Sequence, residues 1–280
     1  MFACLNAISR PTHGILSRVL GRLTGPKIHL QEASAHGCGY LLLTTWPKKG
    51  GQMDWYAIRE AIPPGVRALL TPQAHPLPER FDLRGGPFPA FEADLFLRTA
   101  CTLISASQIP IYRRSVGLLD RTGQAAWMLP TLLRHASSVV VSSQNHPVYR
   151  QAGERMLEEM GALVRLSAPP GDFSGCILLL SPRGEEAPPA HHCPLLRAGS
   201  FSVAGPGPTV FSDPLALGEE DVPPGIPPNH FAGALYELCG ARAWEGGAKT
   251  LLIDGRRAAV SEAAGILRAG AGYGDFRFSR

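Results

Sequence analysis

Apolar and polar positions alternate in blocks along this chain, and the clearest blocks fall between Ser115 and Ser181. Three short apolar runs, Val116 to Leu119, Ser138 to Val141 and Cys176 to Leu180, each end in polar or glycine-containing turns. A helical pattern lies between the first two, and a stronger one follows the second. Strands alternating with helical segments of about 10–15 residues predict βαβ units and a parallel sheet. The second helix is expected to start at Pro147, because proline is tolerated at the first helical position. Val148, Ala152, Met156 and Met160 recur every fourth residue and predict one buried face, with Glu154, Glu158 and Glu159 turned away. Gly161 suits a left-handed stop, and Leu163 to Leu166 reads as one more short strand.

Before this block the period changes. Ile28 to Gln31 and Tyr40 to Thr45 read as strands of a hairpin turning at Ser34-Ala35-His36-Gly37. Asp54 to Ile62 is a short helix, Val66 to Leu70 a strand, and a helix carrying Phe91, Leu95, Cys101 and Ile104 follows a Pro-rich connector. Residues 1–26 suggest an N-terminal helix, amphipathic and basic from Gly14 onward. It is read as laid on the domain, in preference to a membrane surface. After Ser181, prolines exclude long helices up to residue 228, and one strand is expected at Phe201 to Ala204. A helix with Phe231, Ala234, Leu235 and Leu238 on one side, a strand at Leu251 to Ile253, a turn at Asp254-Gly255 and a last helix capped by Ser261 close the chain before a glycine-rich tail. The expected fold is α/β: a Rossmann-like parallel sheet with helices on both faces over 109–205, a small α/β cap over 1–108, and a Pro-rich connector with a helical segment over 206–280.

The turn after the first strand is where chemistry is expected. A dinucleotide site uses glycines so that backbone can approach a pyrophosphate, whose charge a helix N-terminus stabilises. Here the turn runs from Gly117 through Asp120, Arg121 and Thr122 to Gly123, Gln124, Ala125 and Ala126. With Gly123 on the middle glycine of the looser G-x-x-G-x-x-G spacing, Asp120 takes the place of the first, where a carboxylate repels phosphate unless a cation intervenes. The second strand ends in Ser142-Ser143-Gln144-Asn145, with no acid to bind the ribose hydroxyls. Pro130 adds a second conflict, since an interior proline costs a helix ~3 kcal/mol. Either the helix kinks there, or residues 123–129 form a looser turn and the helix begins at Pro130.

Composition narrows the partners. Only four of the 27 basic residues are lysines, the net charge is +4, and no Lys/Arg-rich block appears, so no nucleic-acid partner is expected. Six dispersed cysteines without a C-x-x-C pair, and no secretory segment or membrane-length apolar run, point to a reducing cytoplasm. His191-His192-Cys193 is an adjacent ligand cluster without a second cluster to complete a tetrahedral metal site, so no metal is expected.

Gly117, Asp120, Arg121, Thr122, Gly123, Ser142, Ser143 and Asn145, joined by Ser181 and Arg183, would gather at the carboxyl ends of the strands as a polar pocket. Over residues 109–205 the chain resembles Rossmann-fold NAD(P)-binding proteins, nearest the C-terminal domains of shikimate-dehydrogenase-like enzymes. The resemblance implies a nicotinamide cofactor across the strand ends and a substrate held by the N-terminal part. No Lys–Asp catalytic pair of that enzyme kind maps onto residues 1–108. The expected function is a non-catalytic Rossmann-like protein that binds a nucleotide-like ligand or a protein partner. The alternative is an NADP-dependent oxidoreductase with an atypical phosphate turn, motivated by Ser142, Ser143 and Arg150 beside the second strand.

Overall fold

The structure, a computed structural model, describes residues 1–8, 28–48, 50–168, 171–186, 192–199, 208–240 and 247–271. The amphipathic stretch from Gly14, the strand expected at Phe201 to Ala204, His191 and the tail from 272 lie outside the described residues. Contacts divide the chain into two compact units, Met1–Glu92 with Leu217–Glu245 and Ala93–Ala216 with Gly246–Arg280.

The first unit is built on a four-stranded sheet ordered β2-β3-β1-β4, from β1 (Ala3–Ala7), β2 (His29–Ala35), β3 (Cys38–Thr45) and β4 (Leu69–Leu70). The opening residues were expected to belong to a helix. Instead Ala3, Cys4 and Leu5 are fully buried in β1, which runs parallel to both β3 and β4. Five residues are too few to show a period of their own, so the long helical pattern behind them obscured the strand. β2 and β3 form the expected hairpin, with His36 and Gly37 both at positive φ, as a two-residue turn that matches strand twist requires. Helix α1 (Trp55–Ala61) starts at Asp54, whose carboxylate accepts from the Ala57 N–H at 3.3 Å. It buries Ile58 against Ala3, Leu5, Leu41, Leu43 and Leu69. The opposite face carries Phe2 and Tyr40, whose stacked rings meet Phe231 from the helix Pro228–Cys239.

The second unit holds an eight-stranded sheet. Six strands run parallel: β5 (Ser115–Leu119), β6 (Ser138–Ser142), β7 (Leu163–Ser167), β8 (Leu178–Ser181), β9 (Leu195–Arg197) and β10 (Val210–Leu215). Their order is β10-β9-β8-β5-β6-β7, which counted from β5 is the 3-2-1-4-5-6 arrangement of doubly wound nucleotide-binding sheets. An antiparallel hairpin, β11 (Thr250–Ile253) and β12 (Arg256–Ala259), extends the β10 side. Helices α2 (Pro89–Ala106), α3 (Leu129–Leu132), α4 (His146–Met160), α5 (Pro228–Cys239) and α6 (Val260–Gly270) complete the chain.

Two features depart from the apolar pattern. β10 lies inside the Pro-rich stretch, between β9 and β11, although proline cannot donate to a ladder. The pairing with β11 slips between Ser212 and Leu215, and Asp213 adopts φ +46°, so Pro214 falls at an irregularity where no ladder N–H is needed. In α4 the predicted stripe of Val148, Ala152, Met156 and Met160 is fully buried only at Met156, and the inward side runs through Tyr149, Gly153 and Met156. Tyr149 and Met156 are buried and Gly153 backs onto Val164 of β7, whereas Val148 and Met160 are 37% and 40% exposed. Both stripes have helical spacing; the larger aromatic surface of Tyr149 takes the interior. Among the described residues no helix is long and apolar enough to cross a membrane.

Gly117 sits in mid-strand, fully packed. A Cβ there would lie 2.6 Å from Leu179 Cδ1 and 2.7 Å from Phe173 Cδ1. Gly117→Ala is therefore expected to destabilise the protein by ~1–3 kcal/mol through overpacking, read as a lower urea midpoint with an unchanged m-value.

Candidate functional site

Open α/β sheets bind ligands outside the carboxyl ends of the strands, where the strand order reverses. Here that point lies between β5, which ends into Asp120, and β8, which ends at Ser181. The Asp120 side chain is fully buried and accepts four hydrogen bonds. Its Oδ1 accepts from the Thr122 N–H at 3.2 Å and the Thr122 hydroxyl at 3.1 Å. Its Oδ2 accepts from the Ala125 N–H at 2.7 Å and the Tyr149 hydroxyl at 2.6 Å. The phenol belongs to the first turn of α4 and is itself fully buried. Burial, the hydrogen bond to Asp120 and the negative charges of Asp120 and Glu185 push the Tyr149 phenol well above its ordinary range.

The remaining predicted residues close this arrangement. Asp120 N–H donates to the Ser142 carbonyl at 3.1 Å. Ser143 Oγ accepts from the Asn145 N–H at 3.0 Å and donates to the Arg121 carbonyl at 3.4 Å. Asn145 Nδ2 donates to the Thr122 carbonyl at 3.1 Å. Gly123, at φ +84°, would place a Cβ 2.9 Å from that same Asn145 amide, so both its backbone angle and its neighbour demand glycine. From the β8 side, Glu185 Oε1 accepts from the Arg121 N–H at 2.9 Å, Ser181 Oγ donates to the Glu185 carbonyl at 3.0 Å, and Arg183 is hydrogen-bonded to Gln124. Asp120, Arg121, Thr122, Gly123, Ser142, Ser143 and Asn145 thus come together; Gly117, inside β5, does not join them.

Tyr149 and Glu185 are the members the apolar pattern did not single out. Tyr149 is 29 residues from Asp120, and its signal was only its place on the alternative α4 stripe. Glu185 lies in a loop without periodicity. Its second oxygen, Oε2, is buried without a hydrogen-bond partner.

A nicotinamide dinucleotide does not fit this turn. The amide groups of Arg121, Thr122 and Ala125, the donors a pyrophosphate would use, already donate to the Glu185 and Asp120 carboxylates. A phosphate among them would face like charge worth about 4 kcal/mol per pair at 4 Å and an effective dielectric of 20. The helix dipole is also withdrawn. Ala126–Met128 is a 3₁₀ turn, and α3 spans only four residues with Pro130 near its start, so the looser-turn alternative holds.

Two other concavities occur in this unit. A cavity of about 670 Å³ opens at the amino ends of β5, β8 and β9, lined by Ile109, Arg113, Phe173, Cys176, His192 and Cys193. Burial raises both thiols, Cys193 to about 12, which keeps them protonated. No group of three or more His, Cys, Asp or Glu side chains among the described residues is placed to hold a metal ion. A shallower groove of about 460 Å³ beside α4 is lined by Trp127, Val148, Ala152, Arg155 and Glu158.

The strand order and the strand-end turn together define an α/β protein with a doubly wound, mostly parallel sheet. No protein-family model matches the chain, and no curated protein matches its sequence.

Tyr149→Phe is expected to cost about 1.5–3 kcal/mol, the range for a hydrogen bond to a charged group. Asp120→Ala should cost more, because it strands a buried hydroxyl and two N–H groups at once. The Tyr149 pKa is raised on folding from an ordinary 10.0, so its contribution is complete below that pH and is lost as pH rises above it. Denaturant midpoints measured from pH 8 to 11 should therefore fall less steeply in Tyr149→Phe than in the wild type.

Proposed function

We propose that this chain is a non-catalytic Rossmann-like protein that works by binding a protein partner, with its dinucleotide turn closed by its own side chains. The observation that carries the reading is the Asp120 carboxylate, fully buried and held by Thr122, Ala125 and Tyr149. An internal anion in the phosphate position supplies the charge that a cofactor would otherwise bring. It organises the turn without a ligand.

Apolar surface beside the same helix supports a partner over a nucleotide. Trp127 is 49% exposed and Val148 37%, and both line a groove that also presents Arg155 and Glu158. Aromatic and Arg side chains around a concavity are the composition of interface centres, and clustered exposed apolar residues mark interaction surfaces.

Thermal melting with NAD, NADP, their reduced forms, ATP and S-adenosylmethionine tests the reading. A ligand present at 100 times its dissociation constant adds about 2.7 kcal/mol and moves the midpoint by a few degrees. The expected result is no shift with any of them. A reproducible rise with one dinucleotide would revive the NADP-dependent oxidoreductase.

A further inference from the structure

Six cysteines are free, and four of them, Cys4, Cys101, Cys176 and Cys193, are buried. Cys38 and Cys239 are only partly covered. They are brought together by packing within the first unit. Tyr40 of β3 meets Phe231 of α5 at 5.3 Å between ring centroids, nearly edge to face. Side chains two residues apart on a strand share a face, so Cys38 lies on the side of β3 that Tyr40 presents to α5. Residues four apart on a helix are neighbours on one side, so Cys239 continues the row begun by Phe231 and Leu235, both fully buried. The row ends with the Cys239 thiol hydrogen-bonded to the Cys38 thiol.

We propose that Cys38 and Cys239 are a redox modification site that closes to a disulfide when the chain meets a low-molecular-weight disulfide such as oxidised glutathione. The Cys38 thiolate attacks one sulfur of the oxidant, forming a mixed disulfide at Cys38 and releasing one glutathione thiol. Cys239 then gives up its proton and attacks the Cys38 sulfur. The Cys38–glutathione bond breaks, and the second glutathione leaves as a thiol. The protein loses two electrons and two protons, and one disulfide is reduced to two thiols.

The order of attack follows from the two environments. Burial raises the Cys239 thiol, the adjacent Cys38 adds to this, and the chain's amino terminus opposes it. Cys239, whose thiol is raised, acts second, on a sulfur already beside it. The other four thiols are buried, including Cys176 and Cys193, which lie close to each other. Cys4, Cys101 and Cys193 are raised by burial to about 11 or beyond, and Cys176 is raised as well. A thiol needs thiolate character and access to react. The bond would fasten α5 to β3 and close a loop containing most of the chain, which restricts the unfolded state.

The test uses the full chain. The reduced protein is incubated with oxidised glutathione, alkylated, digested without reduction and mapped by mass spectrometry. The expected product is one linked peptide pair joining Cys38 to Cys239, with the other four cysteines alkylated only after denaturation. The melting midpoint should rise by several degrees and return on adding dithiothreitol. In Cys239→Ser the glutathione should remain on Cys38, with no rise in midpoint. Separate adducts on Cys38 and Cys239 in the wild type, a link between another pair, or no reaction at either residue would overturn the assignment.

Discussion

A buried carboxylate in a protein interior must be surrounded by donors or it unfolds what surrounds it. At the end of β5 this demand is met by four donors to Asp120, and much of the second unit depends on them. The Tyr149 hydroxyl ties α4 to the strand end. The Thr122 and Ala125 amides fold the turn back onto the carboxylate. That compact turn leaves room only for a 3₁₀ segment before α3, and it fixes which side of α4 faces the sheet. The usual economy of a dinucleotide fold is inverted: the anion that organises the turn is part of the chain.

This inversion has a physical consequence for function. A phosphate turn that waits for ligand keeps its amides free and its helix dipole aimed at an empty cradle. Here the Arg121, Thr122 and Ala125 amides are already engaged by two carboxylates of the chain itself, Glu185 and Asp120. Glu185 adds to the effect from the β8 side, with one oxygen on the Arg121 amide and the other buried without a partner. The exposed apolar residues lie outside the turn, along α4 and its neighbours. On the proposed reading, such a scaffold offers surface for recognition in place of a reaction centre.

Much of this was legible in the sequence, and the boundary of what was legible has particular causes. The βαβ core was readable because Val116 to Leu119 and Ser138 to Val141 are apolar runs flanked by turn chemistry, and because Gly161 marks a helix end that the structure places at φ +62°. The place of Asp120 at the end of the first strand was readable from spacing alone. Its partner was not: nothing local distinguishes Tyr149 from Val148 as the inward residue, and the larger aromatic surface is joined by a hydrogen bond across 29 positions. β1 was hidden by its brevity beside a long amphipathic pattern. β10 was hidden by Pro214, which a sheet accepts only because the ladder slips at Asp213. At Tyr149 and at Pro214 a tertiary contact overrode a local rule.

The most direct measurement is an NMR titration that follows the backbone amides of Thr122, Gly123 and Ala125 in isotope-labelled protein as NADP and then pyrophosphate are added. If Asp120 occupies the anion position, the Thr122 and Ala125 amides, already bonded to its carboxylate, will stay in place through millimolar ligand. A saturable movement of those two resonances, with Gly123 moving alongside, would mean that the carboxylate yields to phosphate and that the turn is a working cofactor site.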